Sequence, residues 1–434
     1  MVVKIFNRHS ILVCVCILAA VIAVTMAVNV SLHPKENSPA VPTNLAAGST
    51  SPVSPSNSVS AAAATASVST VNGEMRAVWV PYMSLNMSKE NDKSEAAFRK
   101  KFSGIVTGAK QCGMNTLIVQ VRPFGDALYP SAYFPWSNVV GGTQGVNPGY
   151  DPLKVMVELT HQAGMSIHAW INPMRIQISG SPSILAENNP YTVWSKDASK
   201  AGWVVDTGSG KYYNPAYPQV RKLIADGAQE VAKNYEVDGI QFDDYFYPTQ
   251  DASFDKAAYD SYCTEAAKTG TPLSLADWRC ANINAMVSQV YRQIKAVKPN
   301  LAFGIAPQGN VQNDLKMGAD VKVWCSAQGY VDYICPELYV NFDNPVLPFD
   351  TAAESWRKMV TNKNVKLYLG LAVYKAGSDA DSGTWKKSTN ILAKQVELGR
   401  KTTCDGFMFY SWEYLNSSQT KDEVQNVIKT LNGT

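Results

Sequence analysis

From residue 75 to residue 432, short apolar, β-branched or aromatic runs alternate with stretches of helical periodicity, and this alternation constrains the fold more than any other feature. Such runs read as strands, and strands alternating with helices read as βα units around a parallel sheet. The predicted strands are Arg76–Val80, Thr116–Val121, Ser166–Ile171, Gly239–Phe242, Leu301–Ile305, Tyr333–Cys335, Lys366–Leu371 and Gly406–Tyr410. Between them lie helical stretches such as Ser94–Gln111, Pro152–Ala163, Pro218–Tyr235 and Trp278–Val297. Eight strands with intervening helices predict an α/β fold, a (β/α)8 TIM-like barrel. The span is long for that fold but within its range when loops carry insertions, and the loops after strands two, three and four are long and aromatic.

The region before the barrel has a different character. Lys4, Arg8 and His9 precede an uncharged, mostly apolar run from Ile11 to Val30, the pattern of a secretion signal. The run is also long enough to span a bilayer, and Thr25 and Ala27 give only a weak cleavage motif. Residues 1–33 are therefore expected to be a signal peptide or a retained anchor. Basic residues ahead of the run place the rest of the chain outside the membrane, secreted or held in the cell envelope. Residues 34–73 are a Ser/Ala/Thr/Pro-rich segment expected to be a flexible tether, and residues 74–434 form the barrel domain.

Composition removes several function classes. A formal charge of +3 offers no footprint for nucleic acid. Beyond residue 33 the histidines are His161 and His168, too few for a polyhistidine metal centre. Cys112, Cys263, Cys280, Cys325, Cys335 and Cys404 are scattered with no C-x-x-C pair, which disfavours zinc. Free thiols are the plainer expectation for them, with Cys263–Cys280 the most plausible local disulfide. Gly208-Ser209-Gly210-Lys211 is no P-loop, because Val205 and Tyr212 stand where Gly and Ser or Thr are required.

Active sites of such barrels form at the C-terminal ends of the strands. There strand two offers Gln120, Arg122 and Asp126, strand three His168, Trp170, Asn172 and Arg175, and strand four Gln241, Asp243, Asp244 and Tyr245. Strand six offers Glu337, Tyr339 and Asn341, and strand eight Trp412 and Glu413. Aromatic faces suit the C–H surface of a sugar, and amides, arginines and carboxylates suit its hydroxyls. Glycoside cleavage needs two carboxyl groups, and Asp243, at the abrupt end of an apolar strand, is the first candidate. Asp244 and Glu337 are its candidate partners. Arg122, Asp126, His168, Trp170, Asn172, Arg175, Gln241, Tyr245, Tyr339 and Trp412 are candidate sugar contacts. Structural alternatives stand beside these roles: Asp244 capping its loop, Glu337 paired with Arg122 or Arg175, His168 a satisfied core residue, Glu413 opening the last helix.

Several segments resemble the glycosyl hydrolase-like family 10 domain of bacterial envelope proteins. They are Met75-Arg76-Ala77-Val78-Trp79-Val80, Gln120-Val121-Arg122-Pro123-Phe124-Gly125-Asp126, His168-Ala169-Trp170-Ile171-Asn172-Pro173-Met174-Arg175 and Asp238-Gly239-Ile240-Gln241-Phe242-Asp243-Asp244-Tyr245. The resemblance implies a TIM-like barrel acting on glycosidic bonds of bacterial glycans, and a family member cuts peptidoglycan strands stripped of stem peptides. It maps the family's Asp-Asp-Tyr onto Asp243, Asp244 and Tyr245. Glu337 departs from the family's Pro-Gln pattern, which favours Asp243 with Asp244 as the pair.

The expected function is thus an exported hydrolase of an envelope glycan, peptidoglycan strands foremost, needing no cofactor and meeting the membrane only through its N-terminal segment. Two rivals remain from the sequence. A metal-dependent deacetylase also ends a strand in Phe-Asp-Asp, but it needs a His-x-x-x-His pair that this chain lacks. A non-catalytic polysaccharide-binding barrel would keep the aromatics without needing paired acids.

Overall fold

The computed structural model describes residues 73–433. The expected signal or anchor (1–33) and nearly all of the expected tether lie outside these residues. Eight parallel strands close into a barrel: β1 (Met75–Val80), β2 (Thr116–Arg122), β3 (Ser166–Ile171), β4 (Gly239–Phe242), β5 (Ala302–Ile305), β6 (Tyr333–Ile334), β7 (Lys366–Ala372) and β8 (Gly406–Tyr410). Each pairs with its sequence neighbours, and β1 closes on β8 through Met75–Gly406 and Val78–Phe409. Every predicted strand is found. β2 is buried at all of its positions, as expected when helices cover one face of a parallel sheet and packed side chains the other.

The main helices are α1 (Glu95–Gln111), α2 (Pro152–Gln162), α3 (Pro218–Asn234), α4 (Lys256–Ala266), α5 (Leu275–Val297), α6 (Phe349–Met359), α7 (Ile391–Lys401) and α8 (Lys421–Asn432). Their starts follow from local chemistry. The Ser94 side chain accepts from the Ala97 N–H at the head of α1, and Asp151 caps α2 with Pro152 in its first turn. Leu392 of α7 is held from outside its own helix: its N–H donates to the buried Glu423 carboxylate of α8 at 2.5 Å.

Two apolar regions result. One fills the space between strands and helices. The other, formed by Ala77, Trp79, Ile118, Trp170, Ala306, Tyr333, Cys335 and Met408, fills the barrel itself. The barrel filling depends on two glycines. A Cβ on Gly304 would lie 2.1 Å from the Tyr333 ring, and one on Gly239 would lie 2.5 Å from the His168 ring. Between β3 and α3 the chain inserts a three-stranded antiparallel sheet of Arg175–Ile178, Gly210–Tyr213 and Val204–Asp206, which sets Arg175 at the barrel mouth.

All six barrel cysteines are free. Cys263 and Cys280 therefore do not form the local disulfide considered above. Cys263 stands on α4 while the Cys280 Sγ, on α5, turns to the Leu315 carbonyl at 3.8 Å. Among the described residues no helix is long and apolar enough to cross a membrane.

Candidate active site

β4 ends at Phe242, so Asp243 and Asp244 stand beyond the last ladder position and escape the alternation that would send one of them away from the axis. Asp243 is 2% exposed, and donors surround it. The Trp170 indole donates to its Oδ2 at 2.9 Å, the Asn172 amide donates to the same oxygen, and the Tyr245 N–H donates to Oδ1 at 3.3 Å. Asn172 is oriented in turn, because its Oδ1 accepts from Gln120 at 2.6 Å and from Arg175 at 2.7 Å. Burial pushes the Asp243 carboxyl up to about 6, against the pull of Arg175 and the Trp170 bond.

Asp244 and Glu337 are half-buried neighbours in the same field. Burial and the Asp243 charge raise Asp244 to about 7. Glu337 is held well above the ordinary carboxylate range by burial and then by Asp244, Asp243 and Asp314. Among the ion pairs of the described residues neither Arg122 nor Arg175 partners Glu337. Three carboxyls thus converge, and of these three Asp243 is the one on which two side-chain donors, the Trp170 indole and the Asn172 amide, meet in favour of its charged form.

Around them stands an aromatic wall. Tyr339 meets Tyr410 at 5.7 Å, Tyr374 at 5.9 Å and Trp79 at 6.5 Å between ring centroids. Glu337 acts electrostatically on Tyr339, Tyr374, Tyr410 and Tyr245, which places it against this wall. Arg175 lies between the Tyr245 ring, 5.1 Å away, and the Phe124 ring, 5.2 Å away. Tyr245 is 48% exposed, a large aromatic face open to solvent at the mouth.

The predicted sugar contacts separate into groups. Arg175, Tyr245 and Tyr339 reach the mouth. Trp170 and Asn172, 7% and 1% exposed, hold Asp243 instead of presenting a surface. Gln241 is fully buried one layer below, where its side-chain oxygen accepts from Tyr333 at 3.2 Å. His168 is a core residue: its Nδ1 lies 3.0 Å from the Tyr333 hydroxyl, and burial lowers it to about 4, so it is neutral.

Arg122 and Asp126 are both fully buried away from the mouth. β2 carries a bulge between Gln120 and Arg122, and the extra residue swings Arg122 to the outer face. Its guanidinium lies 3.6 Å from the Phe134 ring centroid, over Gly227 of α3, where a Cβ would come within 2.6 Å of Nη1. Asp126, raised by burial to about 6, accepts from Gln144 at 3.1 Å. Trp412 starts a short helical turn past β8 and rests on Gly108 of α1, in a side groove of about 690 Å³ with Ser84, Lys101 and Asn416. Glu413, bound by Ser84 and by Ser411 at 2.7 Å, belongs to that turn too.

Sequence reasoning missed Trp79, Tyr374, Tyr410, Gln308 and Asp314. Tyr410 is the last residue of β8, one step before the residues considered there. Trp79 is the last residue but one of β1, Gln308 and Asp314 follow β5, and Tyr374 follows β7. Among the described residues no group of three or more His, Cys, Asp or Glu side chains is arranged to hold a metal ion.

A closed parallel barrel with paired acids and an aromatic wall at its C-terminal mouth has the architecture and the chemistry of a glycoside hydrolase. The profile of the glycosyl hydrolase-like 10 family matches residues 74–386, and the chain belongs to that family. Over 367 residues it is 34% identical to the glycosyl hydrolase YngK of Bacillus subtilis, covering 80% of this chain and 69% of that one. It is 32% identical over 371 residues to the glycosyl hydrolase DigH of Escherichia coli K12, covering 80% and 82%. Among solved structures, the glycoside hydrolase domain of PgaB (BpsB) from Bordetella bronchiseptica shares the fold at a TM-score of 0.53 and 12% identity, covering 82% of this chain and 99% of that one. The α-L-fucosidase isoenzyme 2 of Paenibacillus thiaminolyticus does so at 0.53 and 14%, covering 83% and 49%. The protein is a barrel glycosidase.

Proposed function

We propose that the protein hydrolyses glycosidic bonds of a cell-envelope glycan, peptidoglycan glycan strands foremost, outside the membrane and by a two-carboxylate mechanism. The observation that carries the reading is the unequal treatment of three neighbouring acids: donors converge on Asp243, while burial and mutual repulsion keep protons on Asp244 and Glu337. Asp243 acts as the carboxylate that attacks or activates water, and a protonated neighbour delivers the proton to the leaving oxygen. The wall of Tyr339, Tyr374 and Tyr410 offers apolar faces to sugar rings, and Arg175 and Tyr245 meet hydroxyls. The apolar N-terminal run and the family resemblance support export and an envelope substrate.

The test is mass spectrometry of products from the purified protein incubated with peptide-free and with intact peptidoglycan strands. Oligosaccharides from the peptide-free strands support the reading, and their ends identify the bond cut. No product from either polymer points to another envelope polysaccharide. Asp244→Asn and Glu337→Gln name the acid, since the variant lacking it recovers rate on an aryl glycoside whose leaving group needs no protonation.

The pH profile follows from the same groups. Asp243 must be charged, so kcat/KM falls as pH drops through about 6. The acid must be protonated, so kcat/KM falls again as pH rises through about 7. A narrow bell is expected in a pH–rate measurement, its limbs belonging to the coupled cluster. A rate still climbing at pH 9 would contradict these roles.

Tyr410→Ala is expected to raise KM roughly fivefold, an effect of order 1 kcal/mol, with little change in Tm. Trp412→Ala should do the reverse, lowering Tm through the void over Gly108 while KM stays at the wild-type value. Steady-state kinetics and thermal melts on both variants check the contrast.

A further inference from the structure

The loop following β5 is tied to the active site from a buried point. Asp314, on the short helix Val311–Lys316, is 2% exposed. Its Oδ1 accepts from the Gln308 backbone N–H at 2.9 Å, and its Oδ2 is buried without a hydrogen-bond partner among the described residues. Gln308 forms a parallel bridge with Glu337, and the Glu337 N–H donates to the Pro307 carbonyl at 2.9 Å. The next residue, Gly309, is pressed so closely on that segment that a Cβ would lie 2.6 Å from the Glu337 carbonyl oxygen. The Gln308 side chain lies close enough to Asp244 to favour its charged form. One loop of three residues therefore touches both proton-bearing acids, by its backbone on one side and by an amide on the other.

We propose that Asp314 is a positioning residue of the hydrolase: it fixes the Pro307–Gly309 loop, and through it sets Gln308 against Asp244 and the backbone that presents Glu337. The proposal rests on the two-carboxylate reading for its kinetic consequences. It does not place Asp314 in contact with substrate.

An oxygen buried without a donor needs a proton of its own, and the surroundings agree. Burial, and then Asp244, hold the Asp314 carboxyl well above its ordinary range. It feels Asp244 and Glu337 at the mouth and the Cys325 thiol of the helix Val321–Ser326. A raised folded value means stability that is present at low pH and lost as pH climbs above the ordinary carboxylate range.

Three variants test the idea. Asp314→Asn keeps an acceptor for the Gln308 N–H without an ionisable group, Asp314→Ala removes both, and Gln308→Ala removes the amide alone. On whichever glycan the wild type cuts, Asp314→Ala and Gln308→Ala should each lower kcat about tenfold or more, with KM within about threefold, because small misplacements of reacting groups are costly. Both should move the alkaline limb upward, since Asp244 loses the amide that favours its charged form, and the double variant should be no worse than the poorer single one. Asp314→Asn should keep kcat within about threefold and flatten the fall of Tm between pH 4 and pH 8.

Wild-type kcat and limbs in Asp314→Ala would overturn the proposal, as would an Asp314→Asn as damaged as Asp314→Ala. If Asp314→Ala does not fold, Gln308→Ala with a wild-type pH profile overturns it. The melting series needs no substrate. An unflattened Tm curve in Asp314→Asn refutes the buried proton even if the glycan reading fails, and a wild type inert on every glycan refutes that reading alone.

Discussion

Asp243→Asn lowers kcat by about 10³-fold while leaving glycan binding within a few-fold of wild type, the range expected when an acid–base or nucleophilic group is removed from an otherwise intact site. The substitution is nearly isosteric, and the barrel should tolerate it. Trp170 and Asn172 donate to the oxygen Oδ2, so the new amide can keep an oxygen towards them, with its NH2 in place of Oδ1 and the long Tyr245 N–H bond given up. What disappears is the charge. With it goes part of the repulsion on Asp244 and Glu337, both of which feel Asp243 now. In the variant these two should therefore ionise at lower pH than in the wild type. The reducing-end yield on the glycan that the wild type cuts, measured beside an equilibrium binding assay, gives the result. Loss of turnover with retained binding supports the assigned role. Turnover within tenfold of wild type would move the first carboxylate to Asp244 or Glu337.

Gly304→Val should cost about 3 kcal/mol of stability, at the upper end of overpacking effects in cores. Even the first carbon of a side chain at 304 would fall 2.1 Å from the Tyr333 ring. That ring cannot step aside cheaply: its hydroxyl bonds Gln241 at 3.2 Å and lies 3.0 Å from His168, all within the barrel. Nor can the strand shift, since Gly304 is registered between Gln241 on one side and Tyr333 on the other. Gly270→Ala is the control, at an exposed position where a Cβ would meet nothing within 4 Å. A urea midpoint lowered in the first variant and unchanged in the second is the expected pair. Equal midpoints would mean that the barrel interior is looser than its packing implies. The same layer explains why His168 is not at the mouth, for the ring fills the space that Gly239 leaves open.

The sequence by itself determined the barrel. Short apolar runs give way to a period of 3.6 residues at the βα junctions, and this local signal needs no distant contact, so all eight strands and the helices around residues 94–111, 152–163, 218–235 and 278–297 were legible. It also determined the acid cluster. Acids that follow the last ladder residue of an apolar strand stand at the C-terminal end of the barrel, and Asp243, Asp244 and Glu337 meet there. Side-chain direction past the ends of the ladder was decided by the tertiary structure alone. A one-residue bulge in β2 turned Arg122 outward, a three-dimensional event with no composition signature. Depth along a strand decided His168 and Gln241, because a residue two positions below the mouth of a filled barrel is already roofed by its neighbours. The helical turn after Tyr410 decided Trp412, and a partner from another strand made Trp170 a donor to Asp243 instead of a sugar platform. Asp314 shows the limit most clearly: it stands on a helix past β5, unremarkable in the chain, and only the folding of that loop against β6 brings its carboxyl within the field of Asp244 and Glu337.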